Sequence, residues 1–387
     1  MRWSLRWGAA VLAAVAAMVT ATGQASSAAV AGWRVQKVFK GSHLLDLVSI
    51  ASSGARNAWL LGLVPNPEPT FVIQRWNGSG WVSVPLPARL RTVIGPWNLG
   101  SGIYTSSPRN AWYFPDLPYH AASEAQYAVW WNGTKWTQSK VTARQDLVLD
   151  AAVFSPHDVW AFGNTGNSPG YGPALVRRWN GTRWQTVPVP VGTPVTVEGV
   201  GPRDIWAVGV SKATVPDAHQ TMIAMHWNGS TWSAPRLPVF RTVRKGFPWE
   251  ATAIWASGPN DAWVTETPEI NQQNGYAPPG LILLHWNGAS WQTVARSRKI
   301  SEASGLTPDG HGGFWMTSVN PANSNTGYIV DYRHGTFTTR PAPTLPGYVD
   351  AAFGITAVPG TGSFWAIGAL VTRKNGTDES AILRYVP

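Results

Sequence analysis

No cysteine occurs in the 387 residues, which removes disulfides, thiolate metal sites and thiol nucleophiles from consideration. Charge is also scarce: Asp, Glu, Lys and Arg make up 13% of the chain, and they are scattered rather than run together, which argues against a nucleic-acid partner. After the first thirty residues no apolar run is long enough to cross a bilayer, so no membrane span is expected. Phosphate-binding loops, nucleophile elbows and metal-ligand spacings of His are missing as well. What is present is aromatic and turn-rich: 24 Trp, 39 Gly and 31 Pro, with 44% hydrophobic residues. That composition excludes a disordered or fibrous chain and leaves room for a large core.

The N-terminus reads as a secretory signal over residues 1–28. Arg2 and Arg6 precede the apolar stretch "AAVLAAVAAMVTA" (9–21), and small residues follow, with cleavage expected near Ala28 or Ala31. The expectation is a secreted, extracellular monomer that must be stabilised by packing, since it has no staples. Lys and Arg outnumber Asp and Glu by 30 to 20, a net +10 that becomes +8 once Arg2 and Arg6 are removed. Such a balance favours an anionic polymer as partner.

Three phrases recur through the chain. The first ends in Trp after a turn, at Trp59, Trp112, Trp160, Trp206, Trp263, Trp315 and Trp365, about fifty residues apart. The second is aromatic and precedes a turn: Trp76, Trp131, Trp179, Trp227, Trp286, Tyr332 and Tyr385. The third follows that turn: Trp33, Trp81, Trp136, Trp184, Trp232, Trp291 and Phe337. Runs such as "VWAFG" are short and apolar on consecutive positions, as in strands buried on both faces. "RWNGTRW" reads as two strands around an Asn-Gly turn, residues that tolerate positive φ. Each unit is therefore four antiparallel strands with no helix between units, and the expected fold is an all-β, seven-bladed β-propeller over 32–387. The phrases are offset, so a lone fourth strand (32–38) stands first and the last unit lacks one. Pairing the two ends completes blade seven and removes two exposed sheet edges.

The stretch "DVWAFG…RWNGTRWQTVPVP" resembles the blades of secreted bacterial kelch-type propellers, although the second Gly of the kelch doublet is absent here. "NGTRW" is similar to the end of the Asp-box of sialidase-like propellers, with Trp179 in place of its Asp. The resemblance implies a fold and no particular activity. Copper oxidation of the kelch-like oxidase type, which uses a Cys–Tyr site, is excluded by the lack of Cys. "Asn-Gly-Ser/Thr" also occurs at Asn77, Asn132, Asn180, Asn228 and Asn375, where turn geometry explains four of the five.

With the scaffold subtracted, a polar residue remains near the start of each unit's first strand, which the resemblance implies lines the central channel: Asp46, Asn98, Asp150, Glu198, Glu250, Glu302 and Asp350. In the four blades with turns of similar length, allowing for a one-residue turn insertion in two, the positions keep the same parity and could share a channel face, at staggered depths that argue against one tight metal site and suit sugar hydroxyls. Neither metal nor cofactor is expected. Trp97 and Trp249 each stand one residue before such a position, and Tyr348 stands two before Asp350, which points to aromatic stacking on a carbohydrate. The same rim carries Arg89, Arg91, Lys140, Arg144, Arg241, Arg244, Lys245, Arg296, Arg298 and Lys299, suited to an acidic polysaccharide or cell-wall polyanion. The long connection 265–280 is expected to open on that face and set specificity.

Two readings follow. The first is a binding or interaction module for carbohydrate or another cell-envelope polymer, with no catalytic residue. The second is a polysaccharide-active enzyme. A hydrolase would pair Glu250 with Glu302 or Glu198, and a lyase would use His43 near Asp46 with an Arg, His120 and His219 being further candidates. His226 and His285 occupy the place filled by Arg75 and Arg178 elsewhere and read as structural.

Overall fold

The computed structural model describes residues 32–40, 46–64, 70–87, 102–115, 125–143, 146–166, 172–211, 221–241, 249–268, 278–320, 323–343, 345–346, 348–372 and 378–387. Only the backbone is described at strand positions 46, 70, 302, 319–320, 323–326, 348–353, 369–372 and 378. The region assigned to a signal lies outside these residues. Among the described residues the regular elements are all strands, grouped into seven sheets of four. Blade 1 spans 46–83, blade 2 103–140, blade 3 146–186, blade 4 193–233, blade 5 249–297 and blade 6 301–341. Each runs outward strand by strand in chain order. Blade 7 is different: Tyr348–Val358, Ser363–Thr372 and Asp378–Val386 are completed by Gly32–Phe39 as the outermost strand. Trp33 lies opposite Tyr385 and Val35 opposite Leu383, so the ring is closed by its own N-terminal strand, as the offset repeat required.

The repeated aromatics explain why blades adhere. The second-strand Trp of each blade inserts between the two hairpin aromatics of the next. Trp59 lies 6.0 Å from Trp131 and 5.7 Å from Trp136. Trp112 meets Trp179 and Trp184, and Trp160 meets Trp227 and Trp232. Trp206 meets Trp286 and Trp291, and Trp263 meets Tyr332. Trp315 meets Tyr385 and Trp33, and Trp365 meets Trp76 and Trp81. Seven hydrophobic clusters result, each shared by two neighbouring blades, and the core is a ring rather than a centre. Offset and edge-on geometry adds about 0.5–1.5 kcal/mol per pair beyond simple burial. Trp130 and Trp255, which fall outside the repeat, pack in the same joints: Trp130 stacks on Trp112 at 5.0 Å and Trp255 meets Phe314 at 5.2 Å.

A polar pair supports Trp160, Trp206 and Trp263 from beneath. Asp158 accepts from the Trp160 indole and from Arg178, whose guanidinium lies over the Trp160 ring. Asp261 and Asp204 do the same for His285 and His226, which stack on Trp263 and Trp206 at 4.1 and 4.4 Å. Hydrogen bonds from Ser257, His285 and Trp263 outweigh burial at Asp261 and hold its carboxyl below the usual range. Both histidines are thus scaffold, as the alignment with Arg75 and Arg178 implies; Arg75 itself bonds Asn57 at 3.1 Å.

The hairpin turn works differently from the sequence expectation. Gly78, Gly133, Gly181, Gly229 and Gly288 adopt φ of +90 to +102°, but the Asn before each does not adopt positive φ. Its side-chain oxygen instead accepts the next turn amides, as Asn180 does from Thr182 and Arg183 at 3.0 Å. Asn287 makes the same bonds to Ala289 and Ser290, so the Asn is kept for this turn whether or not a hydroxyl follows.

Candidate functional site

Of the predicted channel residues, Asp46, Glu250, Glu302 and Asp350 stand within the first three positions of their inner strands, whereas Asp150 and Glu198 stand in mid-strand, and the strand registers give their heights. Glu198 lies opposite the repeat Trp206, Asp150 opposite Phe162, Glu250 opposite Thr267, Asp46 opposite Leu63 and Asp350 opposite Leu370. Relative to the repeat Trp of each blade these are steps of 0, 2, 4, 4 and 5 residues. At about 3.3 Å per residue that is a staircase, not a ring at one level. Among the described residues no three His, Asp or Glu side chains gather as metal ligands. Trp97, Asn98, His43, His120 and His219 lie outside the described residues, as do Arg89, Arg91, Arg144, Arg244 and Lys245. For Asp46, Glu302, Tyr348 and Asp350 only the strand position is described.

Asp150 does not face an open channel. One oxygen accepts from the Ala151 amide at 2.8 Å; the other accepts from the Thr196 hydroxyl at 3.1 Å and the Val197 amide at 2.8 Å, both on the inner strand of blade 4. The Tyr104 hydroxyl of blade 2 donates as well. Burial raises the Asp150 carboxyl, and these four donors oppose the rise. A carboxylate has about four acceptor sites, so Asp150 is saturated and acts as a bolt through blades 2, 3 and 4. A register shift between Val148 and Asp150 turns the side chain towards the next blade, which alternation alone did not reveal.

Glu198 has a different environment. It is half-buried on the inner strand of blade 4, and desolvation, reinforced by the Asp150 charge, pushes its carboxyl up to about 8. At neutral pH it is a neutral acid beside a saturated carboxylate.

Among the described residues, the mouth between blades 4 and 5 brings aromatic and cationic side chains together. Trp249 is half-buried; its indole donates to the Arg241 carbonyl at 3.0 Å, and its ring edge meets Phe240 at 6.4 Å. The Arg296 guanidinium lies 4.6 Å from the Phe240 ring centre. Arg241, Arg296, Arg298 and Lys299 are exposed, and Val239 beside Phe240 is 84% exposed. Glu250, adjacent to Trp249, lies half-buried on the opposite face of the strand and is engaged by the protein.

One residue here was missed from sequence. The expected loop 265–280 begins too early, because Thr265–Pro268 continue the strand Asp261–Pro268, and Thr265, Glu266 and Thr267 are 0–1% exposed. Glu266 Oε1 is buried without a hydrogen-bond partner. Burial pushes this carboxyl up to about 8, against the opposing charge of Arg296. The sequence signal was the phrase itself: "WVTE" in blade 5 replaces the Gly that closes "WLLG", "WAFG", "WAVG" and "WAIG".

No family model matches the chain, and no curated protein matches it in sequence. Solved structures do share its shape. YCF48 from Cyanidioschyzon merolae matches with TM-score 0.54 and 13% identity, covering 92% of this chain and 99% of that one. The polysaccharide lyase Uly1 matches with TM-score 0.52 and 10% identity, over 91% and 99% of the two chains. The β-propeller domain of the Trilobed protease from Pyrococcus furiosus matches with TM-score 0.51 and 7% identity, over 87% and 97%. The likeness is one of fold. That last domain is described as having an open velcro topology, whereas the present ring is closed by Gly32–Phe39.

Proposed function

We propose that this chain is a secreted binding module that holds an acidic carbohydrate, or a similar cell-envelope polymer, at the mouth of a kelch-like propeller. The observation that carries this reading is the rim between blades 4 and 5, where Trp249, Phe240 and Arg296 set aromatic surface beside exposed cations. Aromatic faces stack on the C–H faces of sugars, and guanidinium groups pair with carboxylate or sulfate. The N-terminal basic-then-apolar segment and the net charge of +10 fit export and an anionic partner.

The enzyme reading has one observation in its favour: Glu198, held protonated beside Asp150, resembles a general acid. Hydrolysis also needs a second carboxylate free to act, and Asp150 is saturated by protein donors. A polysaccharide lyase shares the fold, but among the described residues Asp150 is saturated and Glu250 is engaged by the protein, and on that ground the binding reading is preferred.

Reversing Arg241, Arg298 and Lys299 to Glu tests the surface. These side chains are exposed, so the fold should survive and the melting temperature should stay within about 2 °C of the parent, as surface changes usually cost under ~0.5 kcal/mol. On an immobilised acidic polysaccharide the variant is expected to elute at roughly half the salt of the parent, because exposed charges act within about a Debye length. Elution at the same salt would mean that this rim is not the binding surface.

A further inference from the structure

We propose that Glu266 is a ligand-binding residue, a carboxyl at the floor of the blade 4–5 rim that receives a hydroxyl of a uronic-acid sugar while Arg296 takes the sugar's carboxylate. This deepens the binding function proposed above and rests on it.

The first support is the repeat itself. Counting three residues on from each repeat Trp gives Gly62, Pro115, Gly163, Gly209, Glu266, Ser318 and Gly368. The small residue has a packing cause. A Cβ at Gly163 would stand 1.9 Å from the Leu147 carbonyl oxygen, and one at Gly209 would stand 2.0 Å from that of Thr193. Blade 6 meets the same constraint with Ser318, whose hydroxyl donates to the Ser301 carbonyl. Blade 5 alone puts a long ionisable side chain there, against the rule that packing imposes on its neighbours. A departure of this kind costs stability and is kept where a site needs it.

The second support is the state of the group. Glu266 is 1% exposed, yet Oε1 has no hydrogen-bond partner. A buried polar atom left so is destabilising, a penalty that a ligand hydroxyl would relieve. With its carboxyl raised to about 8, Glu266 carries a proton at neutral pH and can both donate and accept, as a sugar hydroxyl does.

The third is placement. Glu266 lies opposite Ala251 and Ile282, on the face of blade 5 turned to blade 4, the same face as Trp249. Ile282 in turn lies opposite Arg296, whose charge acts on Glu266 and whose guanidinium rests on Phe240. Arg296 is exposed, and on this proposal it turns outward to admit the sugar to the carboxyl. Carboxyl, guanidinium and two rings then meet at one mouth, which is the set that a uronate with its hydroxyls requires.

Binding of polygalacturonate and of dextran sulfate by the full protein tests this, using Glu266→Met and Glu266→Gln. Methionine keeps the volume and removes both oxygens; glutamine keeps a donor and an acceptor. Polygalacturonate affinity should fall at least tenfold in Glu266→Met and stay within about threefold in Glu266→Gln, while dextran sulfate retention changes little in either. Should Glu266→Met fail to fold, Glu266→Gly, which restores the residue of the other blades, carries the same expectation as Met. Undiminished polygalacturonate binding by the Met or Gly variant overturns the proposal. So does a parent that retains dextran sulfate and ignores polygalacturonate, which leaves the broader binding function standing. A parent that retains neither polymer overturns both.

Discussion

A chain starting at residue 41, without the strand Gly32–Phe39, is expected to melt far below the parent or to accumulate as insoluble protein. The strand pairs with Asp378–Val386 along its length, so its loss exposes a new edge on blade 7. It also ties three blades together. Trp33 fills the joint with blade 6, at 6.2 Å from Trp315 and 5.6 Å from Tyr385. Val35 and Val38 pack on that same cluster, Phe39 packs on the joint between blades 7 and 1, and the Lys37 ammonium donates to Gln74 of blade 1 at 3.0 Å. Full burial of a Trp is worth about 3–5 kcal/mol and of each further apolar side chain about 1.5–3 kcal/mol, and these four, partly buried, contribute a share of that. That share is a sizeable part of the ~5–15 kcal/mol stability of a whole domain. Calorimetry or thermal circular dichroism reads the outcome, and a truncated chain that melts with the parent would contradict closure by this strand.

The second large effect is expected at a single joint. Trp160 is fully buried between Trp227 at 5.4 Å and Trp232 at 6.3 Å, with Phe162 stacked on it and its indole N–H bonded to Asp158. Trp160→Ala is expected to cost about 4–5 kcal/mol, the upper part of the range for a large aromatic lost from a core. That corresponds to a fall of roughly 5–12 °C in melting temperature for a chain of this size. Trp160→Phe keeps a ring in the joint and should lose less than half as much. Val82→Ala, at a position 43% exposed, should change little. If Trp160→Ala melts like Val82→Ala, the joints are not what holds the blades together.

The fold was legible because its cause repeats. Trp59 and its six counterparts recur at a spacing that only a four-stranded unit fills, and the orphan Trp33 at one end matches the missing fourth strand at the other. The site was less legible, for reasons that particular residues show. The role of Asp150 depends on a one-residue register shift at Val148, and a shift of that size redirects a side chain without leaving a mark in the sequence. Trp249 was found as an aromatic near the mouth, but that its indole is bonded to the Arg241 carbonyl depends on the fold of the connection before it. Glu266 was present as a broken repeat phrase. It became informative only when the close approach at Gly163 and Gly209 showed why the other blades avoid a side chain there.

The most direct test of the binding function is to incubate the parent with neutral and acidic polysaccharides and to record retention and product together, the product as new reducing ends or unsaturated sugar absorbing in the ultraviolet. Trp249→Ala and Glu198→Gln accompany it. A binding module should retain acidic polymers, form no product in any variant, and show about tenfold weaker retention for Trp249→Ala, the loss of about 1.4 kcal/mol of ring contact. Product formed by the parent and lost in Glu198→Gln would contradict that function, and would make the neutral acid of blade 4 the centre of an enzyme.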